Sequence, residues 1–472
     1  MEEQGILRYV MKYYLAIDIG ASSGRHILSC IEDGKLKLEE VYRFENGMEE
    51  KDGHLTWNYK KLFQNIIDGL KECKKLGKIP SSVGIDTWGV DYALLDKNDE
   101  VIGDVYAYRD SRTEEPIKKL HSIIPFEKLY ERTGSQFQIY NTIYQLYTDK
   151  LSGKLDKAER FLMMPDFFGF LLTGVKKNEF TNASTTGLLS AKTREWEMET
   201  VRELGLPEKL FKELSQPATL VGEVKPEIAE EIGYSTKIVL TATHDTASAV
   251  MAVPETGCPL YISSGTWSLL GIESPVAIAT KEALEANFTN EGGYNKSTRF
   301  LKNIMGLWMI QSVRREHEKK YSWGDYVVMA KAVKDFDSIV DVNDQRFLAP
   351  QSMIEAIRDY CRETNQKVPE TPGELALCVY DSLAVCYAKA VKVVENITGY
   401  KFNTIHIVGG GSMNGYLNEL TAKRTGLKVM AGPVEATAIG NIIAQLLYDG
   451  AVEDIDSAKN LVKDSFDVET IG

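Results

Sequence analysis

Four short segments carry side chains of the kind that hold a phosphate or move a proton. In AIDIGASSGR a strand-like run ends on Asp18 and gives way to the small residues Ala21, Ser22, Ser23 and Gly24 before Arg25. Small residues let backbone N–H groups approach phosphate oxygens, the hydroxyls add donors, and Asp18 is placed to hold Mg²⁺ directly or through water. YISSGTWSLLG repeats the plan with Ser263, Ser264, Gly265 and Thr266. Two such turns facing each other would clamp one polyphosphate. Neither is a Walker loop, because GxxxxGK[ST] is absent, and neither is a GxGxxG opening a helix.

In IVGGGSMNGYLNELT a strand opens through Gly409, Gly410 and Gly411 into a helix. Glycines there let a flat base lie against the backbone at the carboxyl end of a strand, the usual ligand-bearing edge of an open α/β sheet. In ATHDTASAV, His244, Asp245 and Thr246 interrupt an apolar stretch. A carboxylate at the floor of an interdomain cleft would serve as base for an acceptor hydroxyl. Asp245 equally suits the cap of a helix starting at Thr246, and the two roles are compatible.

The elements that must position these groups follow from periodicity. YYLAIDIG, RHILSCIE and KLKLEEVYRF, separated by GASSG and EDGK, predict an antiparallel meander. Leu62, Phe63, Ile66, Ile67, Leu70 and Cys73 fall at helical spacing before the strand-like SVGIDTWG. A second, similar half begins after AVPETGCP (252–259) with PLYISSG and SLLGIES. It continues through a long helix ended by Gly399, then TIHIVGG, a helix, LKVM and a final helix, an alternation that builds a parallel sheet covered by helices.

Bulk properties bound the class. With 472 residues, 43% hydrophobic and 26% charged, the chain suffices for two or three domains. No apolar run approaches the ~20 residues of a membrane span. The opening MEEQGILRYV lacks a basic region followed by an apolar one, which predicts a cytoplasmic protein. Six cysteines without a CxxC pair predict reduced thiols, and a net charge of -13 without a basic stripe argues against nucleic acid as a partner. The aromatic residues, Trp57, Trp88, Trp267 and Trp308 among them, predict core packing, with Trp88 and Trp267 adjoining the proposed loops.

Taken in order, AIDIGASSGR, GIDTWGVDYALLD, YRDSRT, DFFGFLLTG, TNASTTGLLS, ATHDTASAV, YISSGTWSLLG, TNEGG, LKNIMGLWMIQ, IVGGGSMNGYLNELTAKRTG and EATAIGN resemble the FGGY carbohydrate kinases, from residue 16 to about 441. The resemblance implies an α/β, actin-like ATPase (ribonuclease-H-like) fold, with two similar domains around a nucleotide cleft. The expected division is a sugar-binding domain over 13–252, a nucleotide-binding domain over 258–450 and a tail over 451–472.

It also implies that Ala21, Ser22, Ser23, Gly24 and Arg25 contact ATP phosphates, with Thr266 at the second loop and Gln311 and Gly410 at the nucleotide. Gly89, His244, Asp245, Thr246 and Asn303 are expected around the sugar, Asp245 as proton acceptor, with Asp110 and Arg112 of YRDSRT as further contacts. Many relatives carry a lysine and tryptophan stretch where Asn141, Thr142 and Ile143 stand here.

GIDTWGVD, THDTASAV and NIMGLWMIQ together resemble the branch acting on L-rhamnulose, which implies MgATP-dependent phosphorylation of its 1-hydroxyl by a monomer or homodimer. Another ketose, such as L-fuculose or xylulose, stays open. A non-sugar actin-like ATPase fits less well, since the chain ends about 30 residues after EATAIGN, short of a peptide-binding domain.

Overall fold

The computed structural model describes residues 11–472; the acidic opening on which the absence of a leader was argued lies outside the described residues. Two large mixed sheets organise the chain, and their strands and principal helices are numbered here in chain order. The first sheet contains β1 (Tyr13–Ile19), β2 (Ser23–Glu32), β3 (Lys35–Glu45), β4 (Pro80–Thr87), β5 (Thr219–Glu223) and β6 (Lys237–Leu240), in the order β3-β2-β1-β4-β6-β5. The second contains β7 (Leu260–Ser264), β8 (Trp267–Ser274), β9 (Thr289–Gly292), β10 (Thr298–Met305), β11 (Thr404–Val408), β12 (Lys428–Ala431) and β13 (Glu469–Ile471), in the order β9-β10-β8-β7-β11-β12-β13.

The two sheets repeat one plan. In each, the leading strand (β1 or β7) lies near the centre, with antiparallel strands on one side, a meander in the first sheet and the order β7-β8-β10-β9 in the second, and two parallel strands followed by an antiparallel edge on the other. The apolar central strands are buried almost throughout, as expected where helices cover both faces.

Local chemistry sets the helix ends. In α1 (Tyr59–Lys75), Asn58 accepts from Lys61 N, and Leu62, Ile66, Ile67, Leu70 and Cys73 are buried. α4 (Pro372–Thr398) starts in a reciprocal Thr371–Glu374 capping box with Pro372 in its first turn and stops at the left-handed Gly399. Between β4 and β5 the first lobe carries an insertion with its own core, in which Leu94, Tyr144, Phe161, Trp196 and Phe211 pack together.

Two helices tie the lobes together. α2 (Asp245–Met251) leads out of the first sheet, and α5 (Ala436–Asp449), although it follows β12, packs on α2 and on the first sheet. There Gln445 donates to Leu15 O at 3.0 Å and accepts from Ser82 at 2.7 Å. The residues expected as a tail instead form α6 (Ile455–Ser465) and β13, which extends the second sheet along β12. Their buried Ala458 and Val462 supply the apolar contact that the sequence reading overlooked.

Candidate active site

The sheets direct their turns into a common cavity of about 300 Å³ between the lobes. The β1–β2 turn is closed by Gly20 N donating to Ser23 O at 2.9 Å, and Asn46 Nδ2 donates to Gly20 O at 2.8 Å. The β7–β8 turn is closed by Gly265 N donating to Trp267 O at 2.8 Å, and the N–H groups of Leu307 and Trp308, at the start of α3 (Trp308–Glu316), reach Gly265 O and Thr266 O. Opposite, the segment after β11 crosses Ser264 so closely that a Cβ on Gly411 would lie 2.0 Å from Ser264 Oγ. Only glycine fits there.

Of the residues expected at a site, Ala21, Ser22, Gly89, His244, Asp245, Thr246, Thr266, Asn303 and Gly410 line this cavity. Asp18, Ser23, Gly24, Arg25, Gln311, Asp110 and Arg112 are absent from its lining. Arg25 is committed to Asp18, at 2.7 Å, and to Glu435 before α5. Asp110 accepts from Leu55 N and Arg112 N and meets His54, while Arg112 donates to Asp149 Oδ1 at 2.7 Å and to Gln145 Oε1 at 3.1 Å. Those bonds hold the expected sugar contacts Asp110 and Arg112 within the first lobe. Among the tryptophans, Trp88 and Trp267 wall the cavity, while Trp57 is buried behind it.

Asp245 is the first residue of α2. Its Oδ1 accepts from Thr246 N at 2.5 Å and lies 3.4 Å from His244 Nε2. About a third of the side chain (34%) is open to solvent, and that opening is on the cavity. Burial of the carboxyl raises its pKa, with His244 opposing the rise and the Asp18 charge adding to it. A raised pKa strengthens a carboxylate as a base. Beside it, Asp86 on β4 is fully buried and pairs in register with Asp18. Burial, then the Asp18 charge, hold its carboxyl well above the ordinary range, against the bond from Asn441 Nδ2 at 2.6 Å.

Three buried carboxylates that no motif singles out hold these residues in place. Glu179, fully buried, accepts from Thr181 N, Asn182 N, Thr243 N and two threonine hydroxyls, tying the Thr243–Asp245 segment to the insertion. Asp91 accepts from both Trp57 Nε1 (2.7 Å) and Trp88 Nε1 (2.9 Å), from Tyr108 N and from Gln145 Nε2, and so fixes the Trp88 wall. Glu291 lines the cavity beside His244 and is paired with the buried Arg299 at 3.0 Å. For Asp91, a carboxylate followed by the apolar YALL was the available signal.

A half-buried carboxylate between two donor-rich turns, at the junction of two like sheets, is an arrangement suited to phosphoryl transfer. Residues 13–252 match the N-terminal domain, and residues 260–448 the C-terminal domain, of the FGGY family of carbohydrate kinases. Similar proteins include the rhamnulokinases of Oceanobacillus iheyensis (48% identity, covering 97% of each chain) and Halalkalibacterium halodurans (49% identity, covering 97% of this chain and 98% of the relative). Among solved structures, gluconate kinase from Lactobacillus acidophilus superposes with a TM-score of 0.77 at 16% identity, over 98% of this chain and 92% of the other. Ligand-bound xylulose kinase from the same organism gives 0.75 at 16%, over 97% and 92%. These superpositions establish the expected two-domain, actin-like fold. The chain belongs to the FGGY family of carbohydrate kinases, which phosphorylate sugars at the expense of ATP.

Proposed function

We propose that this kinase transfers the γ-phosphoryl group of MgATP to the 1-hydroxyl of L-rhamnulose, giving L-rhamnulose 1-phosphate and ADP. The observation that carries the reading is the position of Asp245, opening into the interlobe cavity between the β1–β2 and β7–β8 turns. The identity of 42–49% to rhamnulokinases over 97% of the chain supports the choice of sugar.

Phosphoryl transfer passes through a loose transition state, so alignment and charge stabilisation supply most of the catalysis. In this reading Ala21, Ser22 and Thr266 offer donors to the phosphates, and Gly410 leaves room for the nucleotide. Ser23, Gly24 and Gln311 support those turns from outside the cavity lining. Gly89, His244, Thr246 and Asn303 surround the ketose, and Asp245 accepts the proton of the attacking hydroxyl. Arg25 acts through Asp18, to which it is bonded, rather than on a phosphate.

Among the described residues no cluster of three or more ligating side chains could hold a metal alone. Mg²⁺ keeps several waters and is held by one or two carboxylates plus substrate phosphates. Asp18, outside the cavity lining and bonded to Arg25, would hold it through water. The ion would neutralise charge on the phosphates. The protein is cytoplasmic in this reading, monomeric or a homodimer, with small-molecule partners alone.

Coupled ADP release with L-rhamnulose, L-fuculose and xylulose tests the assignment. L-rhamnulose is expected to have the highest kcat/KM, and equal or better turnover of another ketose overturns the choice of sugar.

A further inference from the structure

Gln136 belongs to the first lobe, in the segment between Thr133 and Thr142, and meets the second lobe at Asn303 on β10. It lines the cavity, is only 3% exposed, and its backbone is held by Asn141 Nδ2 donating to Gln136 O at 2.9 Å. Its side-chain oxygen accepts from Asn303 Nδ2 at 3.1 Å and from the backbone N–H of Asn303 at 3.5 Å. A backbone N–H can only donate, which favours the arrangement in which the oxygen faces Asn303 and the NH₂ faces away from it. That nitrogen has no hydrogen-bond partner in the protein. A buried amide N–H without an acceptor is unfavourable, and it is rare unless a ligand completes it.

We propose that Gln136 is a specificity-determining contact, whose Nε2–H donates to a hydroxyl or ring oxygen of the ketose. The same amide bonds the second lobe through its oxygen. Recognition of the sugar and contact between the lobes are thereby made by one planar group, and the ketose is read in full only when the lobes meet. This inference rests on the ketose kinase reading and adds a residue to it. A polyol supplies the acceptor the buried nitrogen lacks, whereas an apolar ligand would leave it unpaired.

The test uses the full chain and two variants. Gln136→Glu keeps an acceptor for Asn303 but replaces the donor with a second acceptor. Gln136→Met keeps the length and removes both. The ketose KM is expected to rise about tenfold or more in each, with the ATP KM within about twofold of wild type. With a set of monodeoxy ketoses, removal of one particular oxygen should raise KM in the wild type and cost nothing further in Gln136→Met. An unchanged ketose KM in both variants, or equal deoxy penalties in wild type and Gln136→Met, overturns the proposal and leaves Gln136 a packing residue. Wild-type enzyme that turns over no ketose refutes the ketose reading instead, so the two failures are distinct.

Discussion

Nη2 of Arg299 lies 3.0 Å from Nδ1 of His244. A guanidinium has donors and no acceptor, so at that distance Nδ1 must be unprotonated and the imidazole proton sits on Nε2. Glu291 also approaches Nδ1, at 3.3 Å, and taken alone would favour a proton there. The Arg299 contact is shorter and Arg299 already pairs with Glu291, so acceptance at Nδ1 prevails. His244 therefore presents an Nε2–H donor next to Asp245.

Substitutions at His244 follow from that tautomer. The side-chain N–H of glutamine reaches the Nε2 position, whereas that of asparagine reaches only Nδ1. His244→Gln is expected to keep the ketose KM within a few-fold of wild type and His244→Asn to raise it about tenfold. Steady-state kinetics on the two variants check this, and the reverse ranking would place the proton on Nδ1.

Asp245→Asn is expected to lower kcat by about 10² to 10⁴ while ketose binding, followed by calorimetry, persists. Burial raises the Asp245 pKa, and the base acts only when ionised. Wild-type kcat should therefore fall as pH drops through a value above the ordinary aspartate range. A pH–rate profile whose acid limb sits at that ordinary range, or survives in Asp245→Asn, assigns the limb to another group.

Asp91 makes a separate stability prediction. Burial pushes its carboxyl up to about 6, although the two indole N–H groups, Gln145 and Tyr108 N oppose the rise. Between about pH 4 and 6 the folded chain keeps a proton that the unfolded chain has released, so this group's contribution to stability falls as pH rises, by about 3 kcal/mol over the window. Asp91→Asn removes that dependence. Urea unfolding should show the variant gaining on wild type from pH 4 to pH 7, and a pH-independent difference contradicts the cause. Asp91→Ala strands several buried donors and should cost about 3 kcal/mol or more at any pH.

Gly440 of α5 lies against α2, where a Cβ would fall 1.8 Å from Ser248 O. Gly440→Ala must push apart the two helices, one of which begins with Asp245. A loss of about 1–3 kcal/mol is expected in thermal or urea unfolding, with kcat falling more than the folded fraction does. Full activity in the folded fraction would show that α2 tolerates the shift.

What was legible in the sequence was local. The β1–β3 meander, the glycine-ended α4 and the donor-rich turns each depend on residues a few positions apart, so their patterns are visible without the fold. Asp245 stood out as a carboxylate in apolar sequence. Gln136, Arg299 and Glu179 did not, because each derives its role from partners 55 or more positions away that no spacing rule reaches. Asp110 and Arg112 show the opposite case: a charged motif of the kind that binds sugars, with its charges met by His54 and Asp149.

The position of α5 bears on how the chain reaches this structure. Nearly two hundred residues separate β6 from the helix that covers the first sheet and gives the buried Asp86 its Asn441 partner. During synthesis on the ribosome the first sheet is therefore finished long before its cover emerges, and its apolar face must wait. The division that the family domains draw near residue 252 is consequently no boundary of independent folding: a fragment ending there would expose that face and invite chaperones.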